Sequence, residues 1–297
     1  MLHTIHEILD RAARKHRTVA VAAAEDREVL TAVLAAKSRG VADSILTGGA
    51  EKIASLITEL GGDPSDFEII QADGDADCAY KAVALVRGGR ADCLMKGLLP
   101  TADMMRAVID RETGIRTEKL LSHAMLYEIP GYPKLLLNTD GGINTAPNAE
   151  QKAQILENAA MLLRKLGYEK IYASCICGAE KVSHKIPATV DAYALAEMRD
   201  RWEPYNMTVI GPVGLDLAIS REACAHKSYE AEGAGEADII LVPTYEVGNG
   251  IGKALTYFAN ARSAGVVVGA KVPIVLVSRA DDAETKLASI ALGCICG

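Results

Sequence analysis

Aromatic side chains are scarce in this sequence: one Trp, two Phe and ten Tyr make up 4% of 297 residues. The core therefore has to be built from Ala, Val, Ile and Leu, which suit parallel strands covered on both faces by helices. Long apolar runs are missing as well. Residues 272–277 (VPIVLV) are among the most apolar stretches, far below the roughly 18 residues needed to cross a bilayer. The opening MLHTIHEILDRAARKHR carries charge throughout and lacks the apolar centre of a secretory signal. Seven cysteines is an odd number, and their spacing is not that of a disulfide framework. These absences make the cytoplasm the expected compartment and remove a membrane from the expected partners. Positive charge is also in deficit, with 32 Lys and Arg against 39 Asp and Glu and a net charge of -7. A nucleic-acid partner, which calls for a basic stripe, is not expected. A local basic pocket for an anionic substrate is still compatible with that balance.

What the sequence does have is a repeated strand–helix rhythm. Its length exceeds what one hydrophobic core usually serves, so two domains are expected. Strands are read at residues 18–24, 42–46, 67–70 and 92–95, alternating with helical stretches at 26–38, 51–60, 80–86 and 103–111. Units of this kind imply parallel strands joined by right-handed crossovers. The rhythm breaks around residues 122–137, where HAMLYEIPGYPKLLLN (123–138) reads as two antiparallel strands around a Pro-Gly-Tyr-Pro turn, a plausible domain crossing. A long helix follows at 148–166. Strands at 171–174, 207–210, 239–242 and 274–277 and helices at 188–198 and 251–261 complete the pattern. The expected fold is α/β: two doubly wound lobes with mainly parallel sheets and an interdomain cleft, of the isocitrate/isopropylmalate dehydrogenase-like kind. The expected domains are residues 1–133 plus 266–297, and residues 134–265. Ligands of such sheets sit beyond the carboxyl ends of strands, so the loops after each strand carry the search for function.

Several motifs fail on inspection. Gly248-Asn249-Gly250-Ile251-Gly252-Lys253 reads as a turn that follows a strand and opens a helix. A Walker loop needs Gly where Val247 stands and Ser or Thr at Ala254, and a dinucleotide fingerprint needs Gly at Lys253. The turn is either a plain strand-to-helix connection or a place where small residues expose N–H groups to an anion. CICG occurs at 175–178 and again at 294–297. One-residue spacing is not that of a zinc pair, so no metal is expected, and the thiols read as small core residues ending a strand and a helix. No Gly-x-Ser-x-Gly elbow supports a hydrolase.

The blocks GPVGLDLAIS (211–220), EACAHK (222–227), ADIILVP (237–243) and AGVVVGAKVPIVLVSRADDAETKLASIALG (264–293) resemble the phosphate acetyl/butyryltransferase family, and most closely its butyryl branch. MKGLLPTADMMRAV (95–108), NTDGGINTAPNAEQK (138–152) and EKVSHKIPATVDA (180–192) fit the same family. The resemblance implies a soluble acyltransferase that interconverts acyl-CoA and phosphate with acyl phosphate and CoA by direct attack in a ternary complex. It implies no cofactor beyond coenzyme A as substrate, no metal, and assembly as a homodimer or larger homo-oligomer.

By the same resemblance, Ser278 and Arg279 match the family's Ser-Arg pair at a strand end, and Arg106 matches a second arginine after a Thr-Ala-Asp turn that opens at Thr101. Arg279 is expected on the carbonyl or phosphate oxygens, and Arg106 on phosphate or the CoA phosphates. Asn144, Gly248, Asn249 and Lys253 are expected to line the substrate site. The acetyl branch places its base seven residues after the serine, where this chain has Thr285, so Asp281 or Asp282 is expected to serve instead, or to cap a helix. Thr244 and Val247 differ from the butyryl pattern in a loop that shapes the acyl pocket. The alternatives are a phosphate acetyltransferase and a non-catalytic acyl-CoA- or phosphate-binding member of the fold. A metal-dependent dehydrogenase would need clustered aspartates that the candidate loops do not supply.

Overall fold

The computed structural model describes residues 1–278 and 281–297. In chain order the elements begin with α1 (Ile5–Ala12), β1 (Arg17–Ala22), α2 (Arg27–Ser38), β2 (Ala42–Gly48), α3 (Ala50–Glu59), β3 (Glu68–Gln71), α4 (Gly74–Arg87), β4 (Cys93–Lys96) and α5 (Thr101–Ile109). A hairpin follows, β5 (Ser122–Glu128) and β6 (Leu136–Thr139), and then α6 (Ala149–Lys165), β7 (Ile171–Ile176), α7 (Pro187–Glu197) and α8 (Arg199–Trp202). Next come β8 (Met207–Val213), α9 (Leu215–Ile219), α10 (Arg221–His226), β9 (Ile239–Leu241) and α11 (Tyr245–Phe258). The last elements are β10 (Arg262–Val268), β11 (Ile274–Val275) and α12 (Ala283–Cys296).

Helix ends follow local chemistry. Asp26 opens α2 by accepting the Val29 N–H, with Glu28 in the first turn and Lys37 in the last. Asn148 and Gln151 form a reciprocal capping box on α6, whose last turn carries Arg164 and Lys165. Both place charge where the helix dipole favours it.

The chain divides into two compact units. One, the split unit, takes residues 5–119 and 263–297; the other, the mid-chain unit, takes residues 1–4 and 120–262. The first crossing falls at 119–120, upstream of the hairpin rather than within it, because β5 and β6 pair with each other (Met125 opposite Asn138) and stay together.

In the split unit the strands run β3-β2-β1-β4-β11-β10, parallel except for β10 against β11. The chain works outward from β1 to β3, then returns to lay β4 on the other side of β1. That reversal opens a crevice at the carboxyl ends of β1 and β4. α12 is buried at every position from Lys286 to Cys296 and packs on α1 and α2, which accounts for its nearly uniform apolar sequence. The second CICG lies at its end, where a Cβ on Gly293 would sit 2.5 Å from the Cys93 sulfur.

In the mid-chain unit the order is β5-β6-β9-β7-β8, with β5 antiparallel and the others parallel. The antiparallel hairpin is as the Pro-Gly-Tyr-Pro turn implies. Two sequence expectations change. α11 starts at Tyr245 rather than near residue 251, and stops at Phe258. β10, at residues 262–268, is a strand where the sequence reading placed no element; Asn260, with φ of 51°, separates it from α11.

At the amino edge of this sheet, Lys134 donates to the Asp238 carboxylate and to the Glu236 carbonyl, while Asp238 accepts the Tyr172 N–H at 2.8 Å. One ion pair thus ties the starts of β6, β9 and β7. Asp238 is 2% exposed, and burial raises its pKa against the opposing pull of Lys134. Lys134→Met should cost about 3–5 kcal/mol in urea unfolding, because it strands a buried carboxylate. The loss should shrink as pH falls through the raised pKa, since the protonated acid no longer needs a cation. A variant as stable as the parent at neutral pH would exclude this role.

Candidate functional site

Each unit presents its own carboxyl edge, and the candidate residues fall on both. In the split unit, Gly97 follows β4 and lies against β1: an added Cβ would come within 2.2 Å of the Ala23 carbonyl oxygen. Its N–H donates to the Ala22 carbonyl at 2.8 Å, and Leu98 donates to Ala23 at 2.7 Å. No side chain could replace that hydrogen atom without moving the backbone. Lys96, only 6% exposed, spends its ammonium on the carbonyls of Gly97 and Leu99, each at 3.0 Å. The turn delivers Pro100 as the N-cap of α5 and the exposed Thr101 as its first residue. Arg106 lies further along α5, its side chain 65% exposed and paired with Asp103 at 2.6 Å. An exposed pair of this kind is weak, so Asp103 orients the guanidinium without locking it.

β11 pairs with β4 (Ile274 opposite Leu94, Val275 opposite Met95), so the loop after β11 is next to the loop after β4. This loop brings Ser278, Asp281 and Asp282 together. The Ser278 N–H donates to the Asp281 carboxylate at 2.8 Å, and the Asp281 N–H returns to the Ser278 carbonyl at 3.2 Å. Asp282 caps α12 by accepting the Thr285 N–H at 2.8 Å. Lys286, 3% exposed, donates to the Asp281 carbonyl. Of the two aspartates, Asp282 is therefore a helix cap and Asp281 is joined to the serine. Arg279 lies outside the described residues.

In the mid-chain unit the loop after β6 is organised by Asp140, which is 2% exposed. Its carboxylate accepts N–H groups from His123 (3.0 Å), Gly142 (2.8 Å), Ile143 (2.9 Å) and Asn144 (3.4 Å), and the Asn144 side-chain amide at 2.6 Å. Acceptor-only oxygens facing this many donors make a strong site. The Asn144 amide also donates to the Leu121 carbonyl at 2.8 Å, so Asn144 braces the loop. His123, 8% exposed, packs its ring on Gly142, where a Cβ would lie 2.6 Å from the imidazole Cγ. β9 lies beside β6 (Thr139 opposite Leu241) and leads to α11. There the Tyr245 N–H donates to the Thr145 carbonyl at 3.0 Å, and the Asn138 amide donates to the Gly248 carbonyl at 2.9 Å. Backbone meets backbone where a Cβ on Gly248 would come within 2.7 Å of the Gly141 Cα.

The structure thus joins Asn144 and Gly248 through one loop and decides against the anion-binding alternative for residues 248–253, although the plain turn expected there also lies earlier in the chain. Gly248 is already inside α11 and donates its N–H to the Thr244 carbonyl at 3.2 Å, while the turn itself is at Pro243–Thr244. The glycine is there for packing. Asn249 and Lys253 follow on the same helix, both exposed.

At the carboxyl end of β7, Cys177 is partly buried and burial pushes its thiol up to about 11, opposed by Lys152. It is protonated at neutral pH, as a structural thiol should be. Among the described residues no group of three or more His, Cys, Asp and Glu could hold a metal ion, and no helix is long and apolar enough to cross a membrane.

Sequence reasoning missed Lys96, His123 and Asp140. Lys96 is the single charge at the end of the apolar run CLMK, and Asp140 precedes two glycines as a loop-capping carboxylate would. Both signals were readable.

The phosphate acetyl/butaryl transferase family pattern matches residues 3–78 and 66–294 of the chain. A phosphate butyryltransferase of Clostridium acetobutylicum is 41% identical over 296 residues, 99% of this chain and 98% of that protein. A phosphate acetyltransferase of Thermotoga maritima is 35% identical over 291 residues, 98% and 99% of the two chains. The crystal structure of a branched-chain phosphotransacylase from Enterococcus faecalis superposes with a TM-score of 0.84 at 33% identity, covering 93% of this chain and 97% of that one.

If Asp140 holds its loop as described, Asp140→Asn must turn an amide toward N–H donors whichever way it is placed. Hydrogen bonds to a charged acceptor contribute about 1.5–3 kcal/mol. Amide exchange at Gly142, Ile143 and Asn144 should therefore speed up by roughly ten-fold or more relative to the β7 core. Unchanged protection would show that the backbone holds the loop unaided.

Proposed function

Because the chain belongs to the phosphate acetyl/butaryl transferase family, we propose that it is an acyltransferase converting butyryl-CoA, or a similar short-chain acyl-CoA, and phosphate into acyl phosphate and CoA. The observation that carries this reading is 41% identity to a phosphate butyryltransferase across 99% of the chain. The same reading makes coenzyme A a substrate, requires no resident cofactor or metal, and describes a cytoplasmic homodimer or larger homo-oligomer. The phosphate acetyltransferase relatives keep acetyl-CoA as the competing substrate.

In the direction of acyl phosphate cleavage, the CoA thiol must lose a proton and attack the carbonyl carbon. A new C–S bond forms, the C–O bond to phosphate breaks, and phosphate leaves with the bond's electron pair. A free thiol has a pKa of about 8.5, so a nearby base or cation helps at neutral pH. We assign the base to Asp281, since its carboxylate is bonded to Ser278 whereas Asp282 is engaged as the cap of α12. Ser278 positions the thiol or donates to phosphate. Arg279 holds the carbonyl and phosphate oxygens, on which charge grows toward the transition state. On α5, Arg106 and Thr101 are assigned to phosphate or the CoA phosphates; on α11, Asn249 and Lys253 are assigned to substrate, with Asn144 and Gly248 holding the loop and helix on which they stand.

Three outcomes test this. Free CoA, read with a thiol reagent, should appear from butyryl-CoA only when phosphate is present, and should persist in a chelator. Release without phosphate, or only with added divalent metal, would exclude the reading. Butyryl-CoA should exceed acetyl-CoA by about ten-fold in kcat/KM, since each extra methylene contributes roughly 1 kcal/mol in an apolar pocket; equal turnover would move the enzyme to the acetyl class. Arg279→Ala should lower kcat by about 10²–10³ with a modest change in the KM for CoA, and Arg279→Lys should recover little because an ammonium cannot reproduce the bidentate fork. A folded variant with near-parental kcat would take Arg279 out of the chemistry.

A further inference from the structure

A lone exposed leucine is ordinary on a protein surface. Among the described residues of the split unit, Tyr80, Leu98 and Ile109 are large hydrophobic side chains left exposed. Tyr80 lies midway along α4 and Ile109 is the last residue of α5. Leu98 differs in what holds it. It follows Gly97 in the turn after β4, and the backbone on both sides of it is pinned. The Leu98 N–H donates to the Ala23 carbonyl at 2.7 Å. The carbonyls of Gly97 and Leu99, one before it and one after, accept from the buried Lys96 ammonium at 3.0 Å each. Ala23 has φ of 54°, a left-handed backbone that a residue with a Cβ rarely adopts. Leu99 turns into the core at 1% exposure, while Leu98 stays 44% exposed. A buried charge, a glycine without room for a Cβ and a left-handed alanine thus fix a half-exposed leucine, and strain of this kind collects where ligands are held.

Its neighbours give the leucine a purpose. Met95 pairs with Val275, and Leu98 and Ser278 each lie three residues beyond that pair. Leu98 is therefore on the loop beside that of Ser278, just before α5 with Thr101 and Arg106. Those residues are polar or charged, as groups that meet phosphate must be. An apolar side chain fixed in their midst suits a ligand with both an anionic and an apolar part. We propose that Leu98 is a specificity-determining residue, contacting the methylenes of the acyl chain beyond the reacting carbonyl. This rests on the acyl-transfer reading and adds to it a place for the acyl tail. The carbonyl end of the ester needs hydrogen-bond donors, whereas the carbons after it need an apolar wall. The polar residues assigned to phosphate and CoA do not supply one. A wall on rigid backbone selects by length: an acetyl group stops short of it, and each methylene that reaches it gains about ten-fold or more in kcat/KM.

Steady-state kinetics of phosphate-dependent CoA release from butyryl-CoA and acetyl-CoA, in the parent and three variants, test it. Leu98→Ala should lower the butyryl-to-acetyl ratio of kcat/KM by about ten-fold, through the butyryl value, with acetyl turnover within about two-fold of parental. Leu98→Met, of similar volume, should restore most of the ratio. Ile109→Ala, at a similarly exposed residue at the far end of α5, should change neither value. Thermal unfolding followed by circular dichroism should be near parental for all three, since neither residue is in the core. An unchanged ratio in a folded Leu98→Ala variant overturns the inference. So does an equal fall for both esters, which would make Leu98 a support of the turn alone. A parent that releases no CoA from either ester removes the acyl-transfer reading itself, and this inference with it.

Discussion

Both units depend on backbone packed directly on backbone at the carboxyl edges of their sheets. Gly97 lies on the Ala22–Ala23 peptides in one, and Gly141 on Gly248 in the other, at spacings that leave no room for a Cβ. Such contacts bring polar peptide groups into the interior, where each must find a partner. The charged residues around them supply the partners. Lys96 satisfies two carbonyls, Lys286 one, Asp282 an N–H, and Asp140 four N–H groups and an amide. Three of these charges, Lys96, Lys286 and Asp140, are buried and Asp282 is exposed; all act on the backbone first, and what they hold in place is the set of loops on which the candidate residues stand.

This explains how an acidic chain can serve anionic substrates. Recognition of phosphate does not call for an excess of lysine and arginine when a few cations and oriented amides are placed at strand ends. Arg106, tethered only by the exposed Asp103, contrasts with Lys96, which is fixed on both sides of its turn. The guanidinium is held by one exposed partner, whereas the ammonium sets the turn that leads into α5.

Much of the architecture was legible in the sequence because it is written in local terms. The aliphatic bias, the alternation of strand and helix and the Pro-Gly-Tyr-Pro turn each follow from interactions between residues close in the chain. Ser278, Asp281 and Asp282 were named through the family resemblance, and the structure brings them together in one loop. What escaped is non-local. The glycines of α11 matched no phosphate-loop template, and their reason stayed hidden because the sequence does not display Gly141, more than one hundred residues away, against which Gly248 packs. β10 was lost for a related reason: with Gly265 inside it and a helix read through its approach, its strand character comes from pairing with strands distant from the helix that precedes it, β11 among them. Asp140 and Lys96 needed knowledge of which carbonyls and N–H groups the fold would leave open.

The burial of α12 bears on how the protein is made. The mid-chain unit has all of its strands once residue 241 has left the ribosome, and its last helix by residue 258. The split unit cannot close so early, because α1 and α2, among the first segments synthesised, pack on a helix that ends at Cys296. During translation the nascent chain therefore carries an apolar surface on α1 and α2 awaiting its partner while the inserted unit is already able to fold. Vectorial synthesis completes the inner unit before the outer one, and leaves that surface as the segment most in need of shielding until α12 has emerged.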